Sequence, residues 1–139
     1  MVALAPIGRV LFSLIFILSF PHMFGDGAVA SARLAGVPLA QVAVPVAGII
    51  ALLGGLMLLF GFYARIGAIL LFVFLVPVTL FMHRFWGSGD PGALQMQMTN
   101  FMKNLSLIGA TLFFMYAGAG PVSFDARDGH ADDLRHVQS

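Results

Sequence analysis

Three long apolar runs, separated by short polar or glycine-rich segments, dominate the hydrophobic pattern of the chain. They cover residues 5–24, 38–62 and 66–82, and each has about the length that a helix needs to cross the hydrocarbon core of a bilayer. A fourth run, from Leu105 to Tyr116, is too short to cross by itself, so counting back from Tyr116 starts a fourth span near Gln97. The pattern predicts an all-α fold, an integral membrane four-helix bundle whose fourth span is 97–116.

The connecting segments are short. Residues 28–37 contain small residues and one charge, Arg33, and are too few to span, so we expect them to lie along the membrane interface between helices 1 and 2. The four helices make one transmembrane domain over 1–122. From Ser123 to Ser139 we expect a polar, mobile tail, which carries the acidic residues Asp125, Asp128, Asp132 and Asp133.

Some positions indicate a structural role. Ala47, Ala51 and Gly55 recur at a spacing of four, which places them on one face of helix 2 and lets another helix approach closely. Arg9 stands near the start of helix 1, where we expect it to snorkel toward the interface. Arg65 ends the Gly61–Arg65 turn between helices 2 and 3.

Composition supports a membrane protein and excludes several classes of function. Of the 139 residues, 60% are hydrophobic and 9% are charged, with a mean hydropathy of +0.97, which is outside the range of soluble domains. A net charge of +1 without a basic run gives no reason to expect nucleic acid. There is no cysteine, so disulfides, thiolate metal sites and a CxxC redox pair are excluded. Motifs for hydrolysis or phosphoryl transfer are also lacking.

The basic residues near the helix ends indicate an orientation. With four spans, Arg9, Arg65, Arg127 and Arg135 share one side, whereas Arg33, Arg84 and Lys103 share the other. Because basic residues favour the cytoplasmic side, we predict that both termini are cytoplasmic in a bacterial inner membrane. The polar interval from His83 to Asn104 then faces the periplasm.

This polar interval contains the candidate site. Lys103 lies about two turns inside the predicted fourth helix, where it must snorkel, find a partner or line a polar cavity. Asp26 and Asp90 are the acids on that side that could pair with Lys103 or Arg84. Topology brings together the end of helix 1, the end of helix 3 and the start of helix 4. The predicted ligand-binding residues are His22, His83, Trp86, Asn100, Lys103 and Asn104.

Two explanations compete for these residues. In one, they form a shallow polar pocket for a quinone head group, another small polar ligand or a loop of a partner. In the other, Trp86 and Arg84 are interfacial anchors and the histidines are hydrogen-bonded at helix ends. We favour the anchor explanation for Trp86 and Arg84, and ligand binding for Lys103 with Asn104, because of their depth.

A copper site is the metal alternative. His22 precedes Met23, Met82 precedes His83, and further methionines lie nearby, and thioether with imidazole suits Cu(I). Methionine is equally an ordinary packing residue in an apolar bundle. Two histidines from different helices do not form a metal motif, so we expect no metal site.

The order of several short motifs resembles the DoxX family of small four-helix bacterial membrane proteins. The similarity covers residues 8–125 and rests on Gly8 with Arg9, FPHMFGDG, the GFYAR turn at 61–65, NFMKNLSLIGA at 100–110 and GPVSFDAR at 120–127. The resemblance implies a four-helix bundle. Some relatives are membrane subunits of redox assemblies, including thiosulfate:quinone oxidoreductases and complexes linked to oxidative-stress defence. The resemblance implies that the functional residues of the family correspond here to Arg9, Arg65, Asn100, Lys103 and Asn104, together with His83.

The chain departs from the family pattern at one position. Many relatives carry a glutamate ten residues before the glycine that matches Gly61, and here that position is Ala51. A role of that acid in proton transfer, or in pairing with the helix 4 lysine, is therefore absent or filled in another way.

Three functional hypotheses follow. The first is a membrane subunit of an electron-transfer system, an accessory subunit rather than an enzyme by itself, which holds a quinone near Lys103, Asn104 and His83 and works with a partner redox protein. The second is a non-catalytic scaffold for another membrane protein. The third is a small-solute transporter, which four short helices could form only as a homo-oligomer.

Overall fold

The fold is all-α, as the sequence predicts. The computed structural model describes residues 1–87 and 89–128. Five α-helices follow one another: α1 (Leu4–Ser19), α2 (Asp26–Leu34), α3 (Ala40–Phe60), α4 (Ala64–Met82) and α5 (Pro91–Ala117). In this described part, three helical segments are long and apolar enough to cross a membrane, namely Leu4–Phe24, Ala40–Phe60 and Ala64–Met82.

The first of these segments ends in a change of helix type. After Ser19 the chain continues as a 3₁₀ helix over Phe20–Phe24. Pro21 has no backbone N–H and its ring crowds the preceding turn, which favours the change from α-helix to 3₁₀ helix at this point. Helix α2 follows after Gly25 and packs against α3 and the 3₁₀ helix. Its nine residues are too few to span a bilayer.

Helices α3 and α4 form a hairpin through a three-residue turn that starts with Gly61, whose φ is +66°. Their backbones approach closely where Gly54 meets Gly67: a Cβ on Gly54 would lie 2.8 Å from the Gly67 carbonyl oxygen. The next residue, Gly55, faces α1, where its Cβ would lie 3.2 Å from the Cβ of Phe16. The small residues of α3 thus serve two contacts within the chain.

The predicted small-residue face of α3 therefore packs inside the molecule. Ala51 is 1% exposed and belongs to the hydrophobic core with Phe16, Leu58 and Leu71. Gly55 is buried as well, and Ala47 is half-buried. Two of the three residues of this face are thus covered by the chain's own helices.

Helix α5 begins six residues before the predicted start at Gln97. Asp90 accepts a hydrogen bond from the Ala93 N–H at 2.9 Å, and Pro91 occupies the first helical position, both of which favour a helix start. The helix has 27 residues and packs along α4. At about 1.5 Å per residue, Lys103 lies roughly 18 Å from its start, deeper than the two turns that the sequence predicts.

The core lies between α1, α3, α4 and α5. Its buried residues include Phe16, Leu58, Leu71 and Leu75. The ring centroids of Phe12 on α1 and Phe114 on α5 lie 5.2 Å apart. Many large apolar side chains on the helices instead point outward. Such an exposed apolar surface fits helices that contact lipid.

Two predictions about the end of the bundle near the N-terminus were wrong. Arg9 does not snorkel: it is 3% exposed, because its guanidinium donates hydrogen bonds to the carbonyls of Ala119 and Val122. The predicted loose tail does not begin at Ser123 either, because Ser123 is buried and Asp125 hydrogen-bonds to the start of α4. The rest of the predicted tail, 129–139 with Asp132 and Asp133, lies outside the described residues.

Candidate functional site

A pocket of about 240 Å³ lies between the helices in the half of the molecule away from the N-terminus. Its lining includes three polar residues that the sequence singles out, His83, Lys103 and Asn104, together with apolar side chains of α1, α3 and α4. The end of α4 supplies His83, and the middle of α5 supplies Lys103 and Asn104. The bundle topology thus brings these three residues to one cavity.

His83 is half-buried at the C-terminal end of α4. Its Nδ1 lies 3.1 Å from Oε1 of Gln97, which belongs to the first half of α5. Because an amide oxygen can only accept, Nδ1 donates to Gln97 in this arrangement, and Nε2 is left for another partner. The sequence predicts Gln97 only as a helix start and gives no sign of this orienting contact. A His–Gln pair across two helices has no local sequence signal.

Asn104 is 5% exposed and sits beside the pocket. Within 1–87 and 89–128, its side-chain amide has no hydrogen-bond partner. Its primary amide has two donors and a carbonyl acceptor, and these atoms can be reached from the pocket rather than being sealed in the core. The geometry therefore offers a hydrogen-bonding group to a molecule that enters the pocket.

Lys103 lines the same pocket, although its side chain is exposed in the isolated chain. The predicted ion pair with Asp26 or Asp90 is not formed in the part of the chain that is described. Asp90 instead caps α5, and Arg84 donates to the Ala35 carbonyl at the end of α2. The ammonium group of Lys103 is thus available to an anion or a carbonyl oxygen.

The other predicted ligand-binding residues lie away from this pocket. His22 is exposed in the 3₁₀ helix, and Asn100 is half-buried one helical turn before Asn104 without lining the cavity. Trp86 is exposed and packs edge-on against Phe85 and Phe101, at ring distances of 5.3 and 6.0 Å. Trp86 thus belongs to an aromatic cluster outside the pocket.

A second, apolar pocket of about 540 Å³ adjoins the first between α2, α3 and α4. Every residue of its lining is apolar except His83. The two pockets share four lining residues: Met23, Phe74, Val78 and His83. A polar cavity and an apolar cavity therefore meet at His83.

No group of three or more His, Cys, Asp or Glu side chains in the described ranges is placed to hold a metal ion. The polar side chains that line the pocket are one cation, one primary amide, one imidazole and the Ser19 hydroxyl. These groups can donate hydrogen bonds to a carbonyl oxygen, and the imidazole can also transfer a proton.

Comparison with known proteins agrees with this architecture. The DoxX family matches residues 4–84, from the start of α1 to just beyond α4. Inner membrane protein YphA of Escherichia coli (strain K12) is 33% identical over 124 residues, which cover 87% of each chain. No solved structure matches the chain. With its apolar helices, the chain is a multi-pass protein of a bacterial inner membrane. The family match covers more than half of the residues, and the chain belongs to the DoxX family.

Proposed function

We propose that this DoxX-family protein is the membrane subunit of an electron-transfer system and binds a quinone head group at His83, Lys103 and Asn104. The observation that carries the proposal is Asn104, a residue only 5% exposed, whose side chain has no hydrogen-bond partner among the described residues and lines the same pocket as Lys103 and His83. Polar groups that converge in an otherwise apolar cavity are typical of a small-molecule site.

Each polar group has a distinct task in this proposal. The Lys103 ammonium stabilises negative charge on a quinone oxygen, and the Asn104 amide donates a hydrogen bond that orients the ring. His83, held by Gln97, exchanges a proton through Nε2. Reduction of a quinone to a quinol takes up two electrons and two protons. We assign the electrons to a partner redox protein and both protons to water, one of them relayed through His83 and the other transferred directly from water.

The proposed orientation places this pocket near the periplasmic face, with both termini in the cytoplasm. It is supported by the slight excess of basic residues on the side of the termini. Reporter fusions test it: an alkaline phosphatase domain fused after residue 128 should be inactive, and a fluorescent protein fused there should fold and fluoresce. The opposite pair of results would reverse the orientation.

The binding proposal is tested by purifying the protein from its native membrane in a mild detergent and measuring quinone per protein by mass spectrometry. A quinone in stoichiometric amount is expected in the unaltered protein. Lys103→Met and Asn104→Leu should each reduce it about ten-fold or more, because each removes one of the three polar partners of the head group.

Asn100→Leu is the matched control, since Asn100 lies one turn earlier on the same helix but does not line the pocket. Its quinone content should equal that of the unaltered protein. Equal losses in all three variants would show a general effect on α5 and contradict the proposal. A stoichiometric partner protein without any quinone would instead support the scaffold hypothesis.

A further inference from the structure

We infer that the apolar pocket between α2, α3 and α4 binds the hydrocarbon tail of the ligand whose head lies at Lys103 and Asn104. The inference rests on the proposed function and extends it to a second subsite. It makes the ligand an amphiphile that lies across two connected cavities, with His83 at the boundary between its head and its tail.

The sizes and the linings of the two cavities indicate which part of the ligand each one binds. The polar pocket, of about 240 Å³, is smaller than the roughly 300–1,000 Å³ that is usual for a small-molecule site. The apolar pocket adds about 540 Å³, and it offers no polar side chain beyond His83. A hydrocarbon chain makes no hydrogen bonds, so it fits such a lining without leaving polar groups unpaired.

The two cavities share residues, so one molecule can occupy both. Met23, Phe74 and Val78 line both cavities, together with His83. Close approach of α3 helps to place Met23 there: a Cβ on Gly48 would lie 3.2 Å from the Met23 Cβ. Three of the four shared side chains, Met23, Phe74 and Val78, are apolar and present no charge between head and tail.

The apolar pocket also faces the lipid. Val46 on α3 and Val73 on α4 belong to its lining, yet they are 47% and 53% exposed. Both helices have the length and hydropathy of membrane spans. The edge between these valines therefore opens toward the hydrocarbon region. A lipid-soluble ligand can reach the site from within the bilayer, with its tail lying along α3 and α4.

The test uses a benzoquinone with a ten-carbon tail that carries a photoreactive diazirine at the tail end. The full chain in lipid nanodiscs is irradiated with this probe, and the labelled peptides are mapped by mass spectrometry. Label is expected on residues 43–50 of α3 and 73–82 of α4. An excess of the same quinone without the diazirine should remove most of it.

Ala47→Phe tests the cavity directly, because Ala47 lines the apolar pocket and a phenyl ring there fills part of it. Displaceable label should fall about ten-fold. Ile49→Phe is the matched control: it adds a similar ring to the exposed side of the same helix, away from both pockets. Val73→Phe, at the outer edge, is a second blocking variant if Ala47→Phe does not fold.

The outcomes separate the inference from the proposed function. If the blocking variants keep their displaceable label while Lys103→Met loses its quinone, the tail site is wrong and the head site stands. If the displaceable label is confined to α3 and α4 but Lys103→Met keeps its quinone, the tail site stands and the proposed head site is wrong. Label that spreads evenly over all lipid-facing helices and resists displacement overturns the inference.

Discussion

The carboxylate of Asp125 accepts a hydrogen bond from the backbone N–H of Ala64 at 2.8 Å, across 61 positions of sequence. Its other oxygen accepts from the N–H of Tyr63 at 2.6 Å, and the N–H of Asp125 donates to the Gly61 carbonyl at 2.9 Å. The first N–H groups of a helix have no partner within the helix. The segment after α5 thus supplies the N-terminal cap of α4 and holds the α3–α4 turn in place.

Asp125→Ala should lower the free energy of unfolding by about 1–2 kcal/mol, because it removes the cap of α4. The stability of Asp125→Asn should lie between that of the unaltered protein and that of Asp125→Ala, since its one amide oxygen can still accept a hydrogen bond. Thermal unfolding in detergent measures both effects. Asp128→Ala is the control, because Asp128 lies three residues after Asp125 and its side chain is exposed. Equal destabilisation by the Asp125 and Asp128 substitutions would contradict the capping role.

Gly61 has a left-handed backbone conformation and lies close to α1 and to the segment after α5. Its φ is +66°, and a Cβ there would lie 2.3 Å from the Ser123 Cβ and 3.1 Å from Nη1 of Arg9. Gly61→Ala should therefore cost more than the roughly 1–3 kcal/mol of a strained backbone conformation alone. The expected result is a lower unfolding temperature and less folded protein after gel filtration.

Gly8→Ala is the matched control for Gly61→Ala. Gly8 lies inside α1, and a Cβ there meets no atom within 4 Å. Alanine is the better helix former by about 1 kcal/mol, so this variant should be as stable as the parent or slightly more stable. A Gly61→Ala protein as stable as Gly8→Ala would show that the turn relaxes without cost.

Arg9 joins α1 to the segment after α5. Its Nη1 donates to the Ala119 carbonyl at 2.7 Å and its Nη2 to the Val122 carbonyl at 2.9 Å. Arg9→Met leaves two carbonyls without their donor, and hydrogen bonds from a charged group contribute about 1.5–3 kcal/mol each. We expect a large loss of thermal stability, and an intermediate loss for Arg9→Lys, whose single ammonium lacks the planar fork of two nitrogens.

The comparison for Arg9 is Arg33→Met, which removes an exposed arginine from α2. That change should shift the free energy of unfolding by no more than about 0.5 kcal/mol. A similar effect of both substitutions would mean that net charge, rather than the two hydrogen bonds, governs the response. Limited proteolysis adds a second readout, because the freed segment after α5 should be cut faster in Arg9→Met.

The contrast between helices α4 and α5 shows what the hydrophobic pattern can predict. Helix α4 is apolar apart from Arg65 and Thr79, and its predicted bounds, 66–82, differ from Ala64–Met82 by two residues. The first turns of α5 contain Gln95, Gln97 and Asn100, so a count of apolar residues misses them. The local signal was there in Asp90 and Pro91, which mark a helix start without any hydrophobicity.

The candidate site and the opposite end of the bundle also differ in how far the sequence predicts them. His83, Lys103 and Asn104 meet because alternating helices return to the same end of the bundle, and that follows from topology alone. The burial of Arg9 and the cap from Asp125 depend on the chain folding back after Gly118 and Gly120, whose φ values are +74° and +71°. Two glycines predict that a helix stops. They do not predict where the next segment packs.

Ala51 and Lys103 line the same pocket, which makes the missing glutamate of this family testable. Ala51 is 1% exposed, so a carboxylate introduced there is buried beside the pocket. Ala51→Glu should be tolerated because Lys103 can pair with it. In a Lys103→Met background the same substitution leaves an unpaired buried charge, which costs about 3–5 kcal/mol.

A double-mutant cycle on thermal stability measures this coupling. We expect an interaction free energy of about 3–5 kcal/mol between Ala51→Glu and Lys103→Met, and none between Ala51→Glu and Arg33→Met, a distant control. Ala51→Glu alone should also retain less quinone, because the introduced carboxylate competes for the ammonium group. A coupling near zero would mean that Lys103 does not reach the α3 side of the pocket, and the quinone site would then have to be assigned without it.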